Sequence, residues 1–116
     1  MNKDSGKALR LTGLCNRAGA VTAGMDAALR VIANRDAKLV LLAVDMSDGS
    51  RSKVMRAALK ANVPFVTLGD RWELGRYTGS GQCVVAVIRD RDFAAGVLTA
   101  LGKDPASEGG GETADL

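Results

Sequence analysis

The chain has 116 residues, 16 lysines and arginines, 13 aspartates and glutamates, two cysteines and no histidine. That length is enough for about one domain, and no apolar run approaches the roughly 20 residues of a membrane span. Without histidine the commonest general base and the commonest metal ligand are both missing, which lowers the expectation of hydrolytic or metal chemistry.

Cys15 and Cys83 form no CxxC pair, so neither a disulfide framework nor a zinc site is indicated. The N-terminus MNKDSGKALR lacks the apolar core of a secretory signal. A cytoplasmic protein without a membrane partner is expected. The charge is unevenly spread. From Gly102 onward one lysine faces four acids, whereas residues 1–101 hold 15 bases and 9 acids, a net +6. A basic domain favours a polyanionic partner.

In chain order, Lys7 to Ala18 has helical periodicity, with Leu11, Leu14, Cys15 and Ala18 on one face and Asp4 or Ser5 as cap. Ala20 to Ala23 reads as a short extended piece. A second helix opens at Gly24, its inner stripe Met25, Ala28, Leu29 and Ile32. Asp26 lies in its first turn, where a carboxylate suits the helix dipole. Leu39 to Val44 is apolar without alternation, the pattern of a strand covered on both faces, and Asp45 ends it.

Asp48-Gly49-Ser50 punctuates a turn before a helix over residues 50–61, with Val54, Ala57, Ala58 and Ala61 inside and Lys53, Arg56 and Lys60 outside. Asn62 stops it. Pro64 to Leu68 is a strand, and Asp70 with Glu73 predicts a capping box on a short helix through Tyr77. Gly79-Ser80-Gly81 breaks that helix, and Cys83 to Ile88 is a further strand. Asp90 or Asp92 starts a last helix carrying Phe93, Val97 and Leu101. Residues 102–116 are acidic and Gly-rich, and a disordered tail is expected there. The alternation of helices and strands predicts an α/β fold with a mixed, largely parallel sheet and helices on both faces.

Several motifs carry chemistry. Gly19-x4-Gly24 has the glycine spacing of a phosphate loop, but Met25-Asp26 stands where Lys and Ser/Thr are required, so nucleotide-triphosphate binding is rejected. Asp45 occupies the place of a phospho-accepting aspartate without the acidic pair that would hold magnesium; a turn or cap role is the plainer reading. Gly24 leaves backbone N–H groups at a helix mouth, and Arg30 follows one and a half turns along. Together they suit a phosphate or a base edge; the plainer alternative is an Asp26–Arg30 i,i+4 pair. The stripe Lys53, Arg56 and Lys60 reads by default as a solvated face. With four aromatics in the chain, a base-stacking platform is poorly supported.

The runs GMDAALRVIANRDAKLVLLAVDMS and NVPFVTLGDRWELGRYTGSGQCVVAVI resemble the kink-turn RNA-binding ribosomal-protein superfamily, and within it the small bacterial YlxQ-type members. The resemblance covers roughly residues 7–101. It implies a three-layer α-β-α sandwich with a four-stranded mixed sheet over residues 1–101, and a non-enzymatic role that needs no cofactor. Members of the superfamily grip a sharply bent RNA with the mouth of the second helix and the loop before the last strand. They carry an Asn-Glu pair just after the helix-opening Gly-x and a lysine three residues later. Here those positions are Asp26, Ala27 and Arg30.

The resemblance therefore implies backbone contacts from Gly24, Met25 and Arg30, with Asp26 at the base edges. Ser80, Gly81, Gln82 and Cys83 would pack over the bent strand. The expected partners are kink-turn or ribosomal RNA and proteins of ribonucleoprotein assemblies, with the protein itself a monomer. The alternative, permitted by Asp26-Ala27, is a protein-interaction module on the same fold.

Overall fold

The computed structural model describes residues 3–105. Its elements run α1 (Ser5–Arg17), β1 (Val21–Ala23), α2 (Met25–Ala33), β2 (Leu39–Leu42), α3 (Asp48–Ala61), β3 (Phe65–Thr67), α4 (Arg71–Thr78), β4 (Val85–Ile88) and α5 (Arg91–Ala100). The expected disordered tail falls largely on residues 106–116, outside those described. The residues leading into it are tied down, since the Lys103 N–H donates to Leu98 O at 2.8 Å. No helix among the described residues is long and apolar enough to cross a membrane.

The unbroken apolar run at β2 is explained by two separate cores. Leu39, Leu41 and Ala43 point into one layer with Ala86 and Ile88, where α1, α4 and α5 supply Leu9, Cys15, Leu74 and Val97. Val40 and Leu42 point the other way with Val85 and Val87, onto Ala28 and Ile32 of α2 and Val54 and Ala58 of α3. Because successive strand residues face opposite layers, every position of β2 and β4 must be apolar.

The sheet order is β1-β4-β2-β3. β2 and β3 are parallel, whereas β4 runs antiparallel to both β1 and β2. The expectation of a largely parallel sheet is thus corrected to a mixed sheet with one parallel pair. Alternating helices and strands imply parallel neighbours only when consecutive strands pair, and β4 instead inserts between β1 and β2.

Two further expectations shift. On α1 the buried residues are Ala8, Leu9, Thr12 and Cys15, while Leu14 is 48% exposed and Ala18 is exposed. Thr12 escapes a count of apolar side chains, but its hydroxyl donates to Ala8 O at 2.9 Å and is thereby fit for burial. Helix α3 starts at Asp48, two residues before the expected position, because Ser47 accepts from the Ser50 N–H and caps it. The capping box on α4 forms as expected: Asp70 Oδ1 accepts from Glu73 N–H at 2.8 Å, and Glu73 Oε1 accepts from Asp70 N–H at 3.1 Å. Asp90 is the cap of α5.

Candidate nucleic-acid interface

The C-terminal ends of β1, β2 and β3 and the start of β4 lie at one end of the sheet. That end collects the first turns of α2, α3 and α4 and the loop 79–84. Gly24, the residue before α2, has φ +105°, a conformation open to glycine and strained for other residues. Its N–H donates to Val85 O at 3.0 Å. The same carbonyl accepts the Cys83 thiol at 3.1 Å. One oxygen at the head of β4 therefore joins the mouth of α2 to the end of the loop.

The loop itself is held from below. Ser80 N–H donates to Gly75 O at 3.0 Å, Gln82 N–H to Ser80 O at 2.9 Å, and Cys83 N–H to Arg71 O at 2.9 Å. The Thr78 hydroxyl donates to Leu74 O at 2.9 Å and lies 3.2 Å from Ser80 Oγ. Gly75 must be glycine, because the loop backbone passes directly over it. Ser80, Gly81 and Gln82 are exposed, with Gly81 at φ +76°.

Seven of the eight expected site residues are thus brought to one end of the fold, in unequal roles, while Arg30 lies in the last turn of α2. Gly24, Asp26 and Arg30 are exposed, and Arg30 lies about 9 Å along α2 from Gly24 at the ordinary helical rise. Met25 is half-buried against the α2–α3 core, which leaves its backbone rather than its side chain at the mouth. Cys83 is turned inward. Burial pushes its thiol above the ordinary value, against opposing contacts from Thr78, Val85 and Gly24, so the group is neutral and structural. Cys15, pushed up to about 11 by burial and then by Asp90, is equally unreactive. Asp26 and Arg30 form no ion pair among the described residues. The plain i,i+4 alternative is therefore not what occupies them.

Asp45 is a structural clamp. Its Oδ1 accepts the Arg71 backbone N–H and its Oδ2 accepts Arg71 Nε, each at 3.0 Å. Arg71 also donates to Asp45 O at 3.0 Å. Slight desolvation raises this carboxyl, but the hydrogen bonds and charge of Arg71 outweigh it and hold it below its ordinary value. The turn-and-cap reading of Asp45 is the one the geometry supports.

Sequence reasoning passed over two features of this end. Trp72, in the first turn of α4, is 61% exposed, and Val44, expected inside a strand, is 64% exposed just beyond β2. Val44 N–H bonds to Gly69 O at 2.8 Å, which draws it beside the start of α4. A lone tryptophan in a short helix carries no periodic signal of which way it faces. Lys53, Arg56 and Lys60 are exposed along α3 as a solvated stripe. Among the described residues no group of three or more His, Cys, Asp or Glu is placed to hold a metal ion.

Residues 7–99 match the ribosomal protein L7Ae/L30e/S12e/Gadd45 family. The chain is 37% identical over 91 residues to the RNA-binding protein YlxQ of Bacillus subtilis (strain 168), covering 78% of this chain and 91% of that one. It is 32% identical over 88 residues to the RNA-binding protein YlxQ of Enterococcus faecium, covering 76% and 84%. Among solved structures, a Bacillus halodurans C protein of unknown function superposes with a TM-score of 0.79 at 26% identity, over 84% of this chain and 98% of its own. The Giardia lamblia 15.5kD RNA binding protein superposes with a TM-score of 0.73 at 28% identity, over 88% of each chain.

Proposed function

This chain belongs to the ribosomal protein L7Ae/L30e/S12e/Gadd45 family, and on that footing we propose that it is a non-enzymatic RNA-binding protein. Its RNA face is the sheet end where the mouth of α2 meets the loop 80–83. The observation that carries the reading is the shared acceptor at Val85 O, which fixes Gly24 and Cys83 on one rigid strand head. The free N–H groups at the start of α2 and the exposed Arg30 suit phosphate oxygens. The exposed Ser80-Gly81-Gln82 backbone suits close approach by a sugar-phosphate chain. The kind of RNA that fits is bent and structured, of the kink-turn or ribosomal sort; the names of the YlxQ relatives support RNA binding as such.

Asp26 sets the character of the recognition. An ionised carboxylate accepts hydrogen bonds and donates none, so it meets an amino or imino N–H at a base edge and repels a phosphate. Shape and backbone contacts then contribute more to binding than base reading does. The second reading, a protein-interaction module, is favoured by this one observation, an exposed acid at the mouth with no ion pair among the described residues.

Titration against a kink-turn RNA and a plain duplex of similar length, at several salt concentrations, tests the proposal. Preference for the bent RNA is expected, with an affinity that falls as salt rises because phosphate contacts release counterions. Arg30→Gln is expected to weaken it. Absence of binding to either RNA overturns the reading in favour of the protein-interaction module.

A further inference from the structure

Seven arginines of the described chain fall into two sets. Arg35, Arg51, Arg71 and Arg89 donate to carbonyl, hydroxyl or carboxylate oxygens and close the fold. Arg10, Arg17 and Arg76 are exposed and make no ion pair among the described residues, yet they gather around a single ring. Arg10 and Arg17 line a groove of about 250 Å³ together with Gly13, Leu14 and Tyr77. The Arg76 guanidinium carbon lies 5.7 Å from the centre of the Tyr77 ring. No carboxylate lines the groove.

Gly13 lets the ring come this close, since a Cβ there would lie 3.0 Å from Tyr77 Cδ1. Leu14, left half-exposed by the rotation of α1, forms part of the same wall. Two helical turns separate Arg10 from Arg17, about 10 Å along one face. The groove adjoins the loop already described: a Cβ on Gly79, the C-cap of α4, would stand 3.7 Å from Asn16 Nδ2, one residue before Arg17.

We propose that this groove is a second RNA contact, which takes an unpaired strand leaving the bent element bound at the mouth of α2. Phosphates lie against Arg10 and Arg17, and a base rests on Tyr77 and Leu14. The proposal rests on the RNA reading of the α2 mouth. A single strand supplies one negative charge per nucleotide and a flat apolar face, which matches cations spaced along a helix with an aromatic between them. A protein partner would have to bring several carboxylates in the same register.

The test uses two RNAs with the same bent element, one blunt and one with a short oligouridine extension. For the wild-type chain the extension is expected to tighten binding about tenfold, as stacking and backbone contacts on single strands do. It is also expected to steepen the logarithmic salt dependence by about 1.4, the value for two phosphate contacts on a single strand. R10Q/R17Q removes both gains and binds the blunt RNA as the wild type does, with thermal unfolding checking that the variant is folded. R30Q weakens binding of both RNAs. If blunt RNA is bound and the extension adds nothing, or its gain survives in folded R10Q/R17Q, this proposal is overturned and the α2 reading stands. Binding of neither RNA overturns that reading and this inference with it.

Discussion

A Cβ placed on Gly75 would lie 2.1 Å from the carbonyl oxygen of Gly81. Two glycines, one in α4 and one at the tip of the following loop, are in effect in contact through their backbones. In an ordinary helix interior Gly→Ala stabilises by about 1 kcal/mol. Here the sign is expected to invert. Gly75→Ala should lower stability by about 1–3 kcal/mol, the usual cost of overpacking, because loop backbone rather than a flexible side chain must move. Thermal unfolding reads the first effect. Faster amide exchange at residues 80–83, together with weaker RNA binding, reads the second, since the same loop forms the candidate interface.

The Asp45–Arg71 clamp predicts a pH signature. A carboxyl held below its ordinary value of 3.8 stabilises the folded chain at neutral pH. That contribution is present above the unfolded value and is lost as the pH falls through the folded one. Asp45→Asn should therefore melt at a lower temperature than the wild type at pH 7. The difference should close as the pH drops below the ordinary carboxylate range. Both side chains are well exposed, so the effect is small. A gap in Tm that stays constant down to acid pH would contradict this account.

At the mouth of α2, Asp26→Asn removes a negative charge from the proposed RNA face and supplies a hydrogen-bond donor. Affinity for bent RNA should rise by up to about fivefold, the scale of one exposed charge interaction. The change should be largest at low salt. Weaker binding would instead mean that acceptance from a base edge by the carboxylate outweighs its repulsion of phosphate.

Much of the fold was legible in the residues. The unalternating Leu39–Val44 run showed a doubly covered strand, although the strand itself ends at Leu42 and Val44 is exposed, and Asp70 with Glu73 marked a helix start to the residue. The mixed direction of the sheet was not legible locally, because whether β4 pairs with β1 or with β3 is settled by layer packing and not by strand composition. Asp45 and Arg71 stand 26 positions apart and leave no spacing signal. Of the candidate site, the α2 mouth and the loop were suggested by resemblance and glycine placement. The arginine groove was hidden by the misplaced face of α1.

That face yields a clean comparison. Leu9→Ala removes a buried side chain and should cost about 2–5 kcal/mol. Leu14→Ala, on the same helix and of the same chemistry, should stay within about 0.5 kcal/mol. Equal losses in urea unfolding would place Leu14 back in the core and remove a wall from the proposed groove.

The position of β4 between β1 and β2 also bears on how the chain reaches this state. During synthesis β1 emerges early, but each of its strand hydrogen bonds is to residues 86–88, so it waits without a sheet neighbour until most of the chain has been made. β2 can meet β3 earlier, yet it too lacks its other neighbour until then. The four strands consequently close into a sheet in one late, long-range event, the kind of step that slows folding. The mouth of α2, anchored on Val85, cannot take its shape before that event, so the candidate interface is unformed in a nascent chain while its N-terminal half alone is exposed.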